Sequence, residues 1–466
     1  MFSRPLGCLN SLLVGCLFAN AGWTAELYVG LAKLDITPQS SIRLSGYAGR
    51  ATSSAGVADR LSVRAMVLAP DRMATDRACI LVTLDSILVT NQITEETARW
   101  LKSKYGIPRS QLVLCSSHSH SAPHLDGGLN NILREPSTES QLSVTKAYTQ
   151  FLQQAILGVI DQALSRRQPA TLAIAETRAG FGVNRRVLKD GIWSGFGVQS
   201  DGQVDHRLRV LRIADQQGKW LGCVTMYACH CTTLNADINQ VSSDWAGLAA
   251  QCWEVKYPGT VCLPVIGCGA DINPNPRGTY EMALQHATEI GGAIEGVMSQ
   301  AQAWTPLTEF PQAQFDVAEL QADAPTASRI AEMQQSEKSN DRRWAAWVQN
   351  TLKEHQGAPS AYPMPIHTWQ FGPDFTWVFL GGEVVIDYQF RIEHQLPTEH
   401  TWVAAYTDDV FAYVASEKML AEGGYEVDAS MVYYLQPGRW QSGTQDFIVR
   451  RVGEIFARSF PPSPRP

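Results

Sequence analysis

The chain has 466 residues, 45% hydrophobic and 18% charged, with 38 basic against 45 acidic side chains and a formal net charge of −7. That length means one large domain with additions or a few smaller ones, and the mix excludes disordered, collagen-like and coiled-coil classes. No basic stripe of the kind a nucleic-acid binder carries is present, so no nucleic-acid partner is expected.

Residues 1–21 read MFSRPLGCLNSLLVGCLFANA. Arg4, the apolar run from Leu6 to Phe18 and the small-residue pattern Ala19-Asn20-Ala21 predict a secretory signal peptide. Leu13-Val14-Gly15-Cys16 also has the form of a lipoprotein processing box, with the signal ending before Cys16. An exported protein, periplasmic or secreted, is expected, either soluble or lipid-anchored through Cys16. No other stretch reaches the roughly 18 apolar residues of a membrane span. No hydrophobic hairpin for docking on a bilayer is legible, so any membrane association is expected to be peripheral.

From residue 22 on, strand-like and helix-like segments alternate. Cys79 to Leu84 is a continuous apolar run, as in a strand covered on both faces. Residues 93–105 read as a helix stopped by Gly106 and Pro108. Leu112 to Cys115 is the next strand. Tyr148, Phe151, Leu152, Ala155, Ile156, Val159 and Ala163 recur at helical spacing. Leu221–Ala228 and Thr260–Ile266 read as buried strands. Ala283, Leu284, Ala287, Ile290, Ile294 and Val297 mark another amphipathic helix, and Phe375–Leu380 a further strand. The pattern predicts an α/β fold with more than one sheet. Residues 324–362 turn polar and read as an exposed helical excursion with Trp344 and Trp347 on its apolar face. Residues 460–466 read as a disordered tail.

The eight cysteines beyond the leader are Cys79, Cys115, Cys223, Cys229, Cys231, Cys252, Cys262 and Cys268. Several sit in apolar runs and read as buried thiols. In an oxidising compartment Cys252 is a candidate to pair with Cys262 or Cys268. Cys229-His230-Cys231 lacks the C-x-x-C spacing of structural zinc sites.

The densest chemical cluster is Cys115-Ser116-Ser117-His118-Ser119-His120-Ser121-Ala122-Pro123-His124. On an extended segment His118 and His120 would share one side of the chain, suiting a metal ligand beside a proton donor. His230 follows the strand ending at Ala228, Glu383 follows Phe375–Leu380 and Gly381-Gly382, and Tyr413 follows Trp402–Val410. Open α/β sheets place their sites beyond the carboxyl ends of strands, so these residues can meet. Asp244 and Glu422 lie in motif-rich stretches too. Ser242-Ser243-Asp244 reads equally as a helix start and Glu422-Gly423-Gly424 as a tight turn, so neither joins the catalytic set.

The run Val29-Gly30-Leu31-Ala32-Lys33-Leu34-Asp35-Ile36-Thr37-Pro38, then Leu44-Ser45-Gly46-Tyr47-Ala48, resembles the opening of the neutral/alkaline (non-lysosomal) ceramidase family. Asp59 to Ala65 fits its next segment, and Ser116 to Pro123 matches its signature S-S-H-[ST]-H-S-x-P. Asn184-Arg185, Tyr227–Thr233, Gly269–Asn275, Gly382-Glu383, Tyr413-Val414 and Tyr425-Glu426 follow in the family's order. The resemblance covers about residues 27–450, and residues 27–455 are taken as the catalytic domain.

The resemblance implies an α/β unit with two mixed sheets between helices, and a single catalytic Zn2+ on His118, His230, Glu383 and Tyr413. His120 and Arg185 would face the substrate carbonyl, and metal-activated water would cleave ceramide to fatty acid and sphingosine. Two departures follow. The family's G-D-x-S-P-N is here Ala270-Asp271-Ile272-Asn273-Pro274-Asn275, and Asn273 can donate a hydrogen bond but cannot act as an alkoxide. The sequence stops at Pro466, after the catalytic part, without the family's C-terminal β-sandwich domain. The alternatives are an amidase on another N-acylated lipid, amino sugar or small amide, and a non-catalytic binding protein on the same fold.

Overall fold

The computed structural model describes residues 27–129, 131–133, 136–354 and 361–459. The signal region with Cys16, the loop at 357–360 and the tail at 460–466 lie outside them.

The larger sheet has nine strands. Its order is Val261–Ile266, Trp220–Tyr227, Arg207–Ala214, Gln168–Arg178, Leu27–Asp35, Ser62–Ala69, Cys79–Leu84 and Leu112–Ser116, with Thr305–Leu307 added on Gln168–Arg178. The middle pairs are antiparallel, whereas the last pair at each end is parallel. A parallel pair needs a crossover, usually helical. Asn91–Tyr105 supplies it at one end and Asp244–Lys256 at the other. Cys79–Leu84 and Leu112–Ser116 are buried at every position, as their unbroken apolar runs require.

Helix Asn91–Tyr105 starts on Thr90, whose hydroxyl accepts from the Ile93 amide, and stops at Gly106 with φ 77°. Glu139–Ser165 opens on a capping box between Thr138 and Gln141 and lays Leu152, Ile156, Val159 and Ala163 on the sheet. Phe151 and Leu284, expected on the buried faces of their helices, are exposed. They sit at the margins of stripes whose centres are filled by Leu152 and Ala287. Two helices, Ala327–Gln334 and Ser339–Glu354, occupy the polar region, burying Trp344 with Met333, Val348 and Val432.

A second sheet of four strands has the order Gln312–Leu320, Tyr362–Phe371, Phe375–Leu380 and His400–Ala404. Its aromatic face, with Trp369, Phe375, Trp377, Phe379 and Trp402 all fully buried, packs on one face of the large sheet. Here the two parallel ends of the large sheet are joined. The chain after His400–Ala404 forms a bridge from Ala404 to Gly267, beyond Val261–Ile266, and another from Thr407 to Cys115 on the opposite edge strand. Loops leaving opposite ends of the nine-stranded sheet are thereby drawn to one place. Together these are the two mixed sheets between helices that the resemblance implies. Among the described residues no helix is long and apolar enough to cross a membrane.

The described cysteines are all free thiols. The pairing expected for Cys252 does not form. Cys252 is exposed on its helix, while Cys262 faces Cys223 in register across two buried strands.

Candidate metal centre and active site

His118 leaves the end of Leu112–Ser116, but not in the extended conformation its alternation with His120 suggests. Its φ is 57°, a left-handed turn. Ser119 then pairs with Cys231 beside His230, and the His120 amide bonds to the Cys231 carbonyl at 3.1 Å. The two histidine loops are therefore stitched together through backbone. Glu383 and Tyr413 come from a two-residue parallel ladder in which they are register partners. Paired positions present side chains to one face.

These four elements bring one set of atoms together. Glu383 Oε2 lies 3.1 Å from His118 Nε2 and 3.2 Å from His230 Nε2. Tyr413 Oη is 3.3 Å from His230 Nε2, and His120 Nε2 is 3.1 Å from His118 Nε2. All but His120, which is half-buried, are buried.

Protons are assigned from the partners of the far nitrogens. His118 Nδ1 donates to the Ile87 carbonyl at 2.6 Å and His230 Nδ1 to the Gly269 carbonyl at 2.7 Å. Both Nε2 lone pairs therefore point inward at a carboxylate oxygen that has no hydrogen-bond donor among the described residues. Burial, then the Arg185 guanidinium, pushes His230 down to about 4, so it is neutral near pH 7. Burial and the Glu383 charge push the Tyr413 phenol well up.

Inward-facing acceptors with no proton between them repel one another unless a cation lies among them. Ligands about 2.0–2.1 Å from a tetrahedral zinc stand about 3.3 Å apart, which the separations here match. The donor set of two imidazoles, a carboxylate and a phenol is of the N/O kind zinc takes. The residues present fit the metal. His118, His120 and His230 form an overlapping set, with ligand atoms all within 4.8 Å. His120 differs from the other two because no described residue holds its Nδ1. Its ring packs against Tyr47, with centroids 5.0 Å apart.

Arg185 enters from the other flank. Its Nη1 lies 3.3 Å from His230 Nε2 and donates to Asn273 Oδ1 at 3.4 Å, and its Nη2 donates to Tyr413 Oη at 3.1 Å. Asn273 Oδ1 also accepts from Thr232 at 3.3 Å. The seven residues singled out in the sequence, His118, His120, Arg185, His230, Asn273, Glu383 and Tyr413, thus surround one point. His124 turns away to Ser45, and Cys229 and Cys231 do not join the metal set.

Three neighbours gave no such signal in sequence, and a fourth, Glu426, gave only its place in a motif match. Tyr434 donates to Glu383 Oε1. Glu426, within the π-turn Tyr425–Ala429, holds Arg185 Nε at 2.9 Å. Tyr406, at φ 57°, lays its ring 4.6 Å from that of His118. Trp245 Nε1 donates to the His230 carbonyl at 2.8 Å. Asp244 takes the structural reading: its carboxylate accepts from the Trp245 and Leu234 amides at 2.7 and 3.2 Å. Glu422 pairs with Arg186.

Fold and site together define a mixed α/β protein with a buried imidazole–carboxylate cluster suited to a divalent metal. Residues 27–264 match the family described as neutral/alkaline non-lysosomal ceramidase, N-terminal. The chain belongs to that family. It is 26% identical over 265 residues to neutral ceramidase B of Dictyostelium discoideum, covering 54% of this chain and 36% of that one. To the neutral ceramidase of Pseudomonas aeruginosa it is 25% identical over 273 residues, covering 56% and 40%. The matched region thus spans well under half the length of these curated relatives. The crystal structure of the Pseudomonas aeruginosa neutral ceramidase superposes with a TM-score of 0.67 at 16% identity, covering 92% of this chain and 73% of that one. A ceramidase structure complexed with C2 gives a TM-score of 0.69, covering 93% and 75%. These likenesses extend the shared fold over both sheets.

Proposed function

We propose that this chain is a zinc-dependent amide hydrolase that cleaves an N-acylated lipid of the ceramide type. The observation that carries this is Glu383 Oε2 set between two imidazoles whose inward lone pairs are fixed by backbone carbonyls, in a chain of the ceramidase family. His118, His230, Glu383 and Tyr413 are the proposed ligands. Bound there, zinc supplies Lewis acidity, polarising a carbonyl and lowering the pKa of water to about 7.

The chain's own residues do the rest. Arg185 keeps its charge, since Tyr413 and Glu426 overcome the burial that would lower it. It can donate to the oxygen on which negative charge develops, a contribution of about 3–4 kcal/mol for a well-placed donor. His120 Nε2 lies 3.1 Å from His118 Nε2 and no described residue holds its Nδ1, so it is the imidazole able to move a proton to the leaving amine. Asn273 orients Arg185 and stands where a hydroxyl nucleophile would be needed for covalent catalysis, so direct hydrolysis is the route these residues support.

Hydrolysis of an amide other than ceramide is the second reading, and Asn273 in that motif favours it. The test is metal analysis followed by removal and reloading of zinc, with product release from ceramide and from a panel of other N-acyl amides followed by mass spectrometry. Zinc-dependent sphingosine release, lost in His230→Ala, is expected. Cleavage of another amide alone would move the substrate, and metal-independent cleavage would overturn the centre.

A further inference from the structure

Among the described residues, large exposed apolar side chains gather at one place. Ile192, Phe196 and Val198 are 58%, 53% and 54% exposed. They lie on or just after the hairpin of Arg186–Lys189 and Ile192–Phe196, so a surface hairpin not legible in the sequence is present after all. It springs from Arg185. The Arg185 guanidinium carbon lies 4.9 Å over the Phe196 ring, and Phe196 meets Tyr425 edge-on at 5.0 Å. Tyr425 in turn meets Tyr413 at 5.4 Å. A chain of ring contacts therefore runs from Tyr413 at the candidate centre through Tyr425 to the exposed Phe196. Contiguous exposed apolar surface rimmed by polar groups marks a contact site. The hairpin turn is Asp190-Gly191, preceded by Lys189, a polar tip unsuited to burial in a bilayer.

We propose that Ile192, Phe196 and Val198 bind the aliphatic acyl chain of the substrate and set its length preference. The inference rests on the amide-hydrolase reading. If His120 serves the leaving amine, the amine lies on the Tyr47 flank. The acyl substituent of the same carbonyl then points to the other flank, where Arg185, Phe196 and the hairpin stand. Each methylene laid on this surface is removed from water, so affinity rises with chain length.

The test compares kcat/KM for substrates with one amine and acyl chains of two or twelve carbons, held as monomers in fixed detergent. Dodecanoate and acetate binding are measured by calorimetry alongside. In the native chain the long-to-short ratio exceeds ten in both measurements. Ile192→Ser with Val198→Ser lowers both ratios at least tenfold, whereas Ile192→Leu with Val198→Ile keeps them. Ratios unchanged in the serine variant overturn the proposal. So does a loss that follows the length of the amine-side chain, or one seen only on phosphatidylcholine vesicles. Dodecanoate binding that depends on the hairpin, in a protein that cleaves no amide, upholds the surface and overturns the hydrolase reading. Dodecanoate bound no better than acetate by the native chain overturns the surface whatever the activity.

Discussion

The Tyr434 phenol donates to Glu383 Oε1, the carboxylate oxygen that neither His118 nor His230 approaches. One oxygen of Glu383 thus faces the imidazoles while the other is held from behind. Partners of this kind orient ligands, and losing one typically lowers metal affinity about 10–100-fold. Tyr434→Phe removes the hydroxyl and keeps the ring. Zinc affinity, measured by competition with a chelating dye, is expected to drop by that factor while the fold stays intact. An unchanged affinity would mean that backbone alone fixes Glu383.

Glu426 is buried between two arginines, binding Arg185 and Arg186 through separate oxygens. Arg186 has Glu422 in addition, 3.0 Å away. Glu426→Gln removes one charge from a buried set of two positive and two negative groups. Breaking a buried pair costs about 3–5 kcal/mol because a charge is left uncompensated. Denaturant titration should show a loss of that order, and kcat should fall more than KM rises, since Arg185 loses the group that aims it. Equal stability of the variant and the native chain would show that Glu422 alone balances both guanidinium groups.

The strand-end residues were legible in sequence because a buried strand followed by a ligand-type side chain is a local signal. His118, His230 and Glu383 carry it, whereas Tyr413 stands well past the strand His400–Ala404. What brings them together was not legible. The bridges from Ala404 to Gly267 and from Thr407 to Cys115 join segments more than a hundred residues apart, and no periodicity records them. Tyr434, Tyr406 and the role of Glu426 escaped for a related reason. Each reaches the site through a backbone irregularity or a tertiary contact, Glu426 through a π-turn and Tyr406 through a positive φ. The turn at His118 was misjudged likewise, since alternation suggests an extended chain and the loop's pairing with Cys231 bends it.

Asp409 gives the clearest dependence on pH. Burial raises its carboxyl from the usual 3.8 to about 6, against hydrogen bonds from the Tyr362 hydroxyl at 2.7 Å and the Asn91 amide at 3.1 Å. A group that ionises near 6 when folded and near 4 when unfolded binds its proton more tightly in the native state. Its contribution to stability is fully present below about pH 4 and is lost as the pH rises through 6. Two units correspond to about 3 kcal/mol. Asp409→Asn keeps the shape and removes the charge. The variant should be more stable than the native chain at pH 7.5 and closer to it at pH 4.5, read from urea midpoints at the two values. A gain of the same size at both pH values would assign the effect to packing.

Gly46 separates the two donor sets that share His118 and His230. Its φ is 91°, and a Cβ there would stand 2.5 and 2.6 Å from Cγ and Nδ1 of the His120 ring. Gly46→Ala must therefore push the His120 imidazole aside, in addition to straining the turn by about 1–2 kcal/mol. The carbonyls of Ile87 and Gly269 that fix His118 and His230 are untouched. If His120 moves protons and does not hold the metal, zinc content stays at one per chain while kcat drops about 100-fold, the cost of an ångström of misplacement near the chemistry. If His120 is a ligand, zinc is lost along with turnover. Metal analysis of the purified variant, read beside its kcat and the zinc content of His120→Ala, decides which set holds the ion.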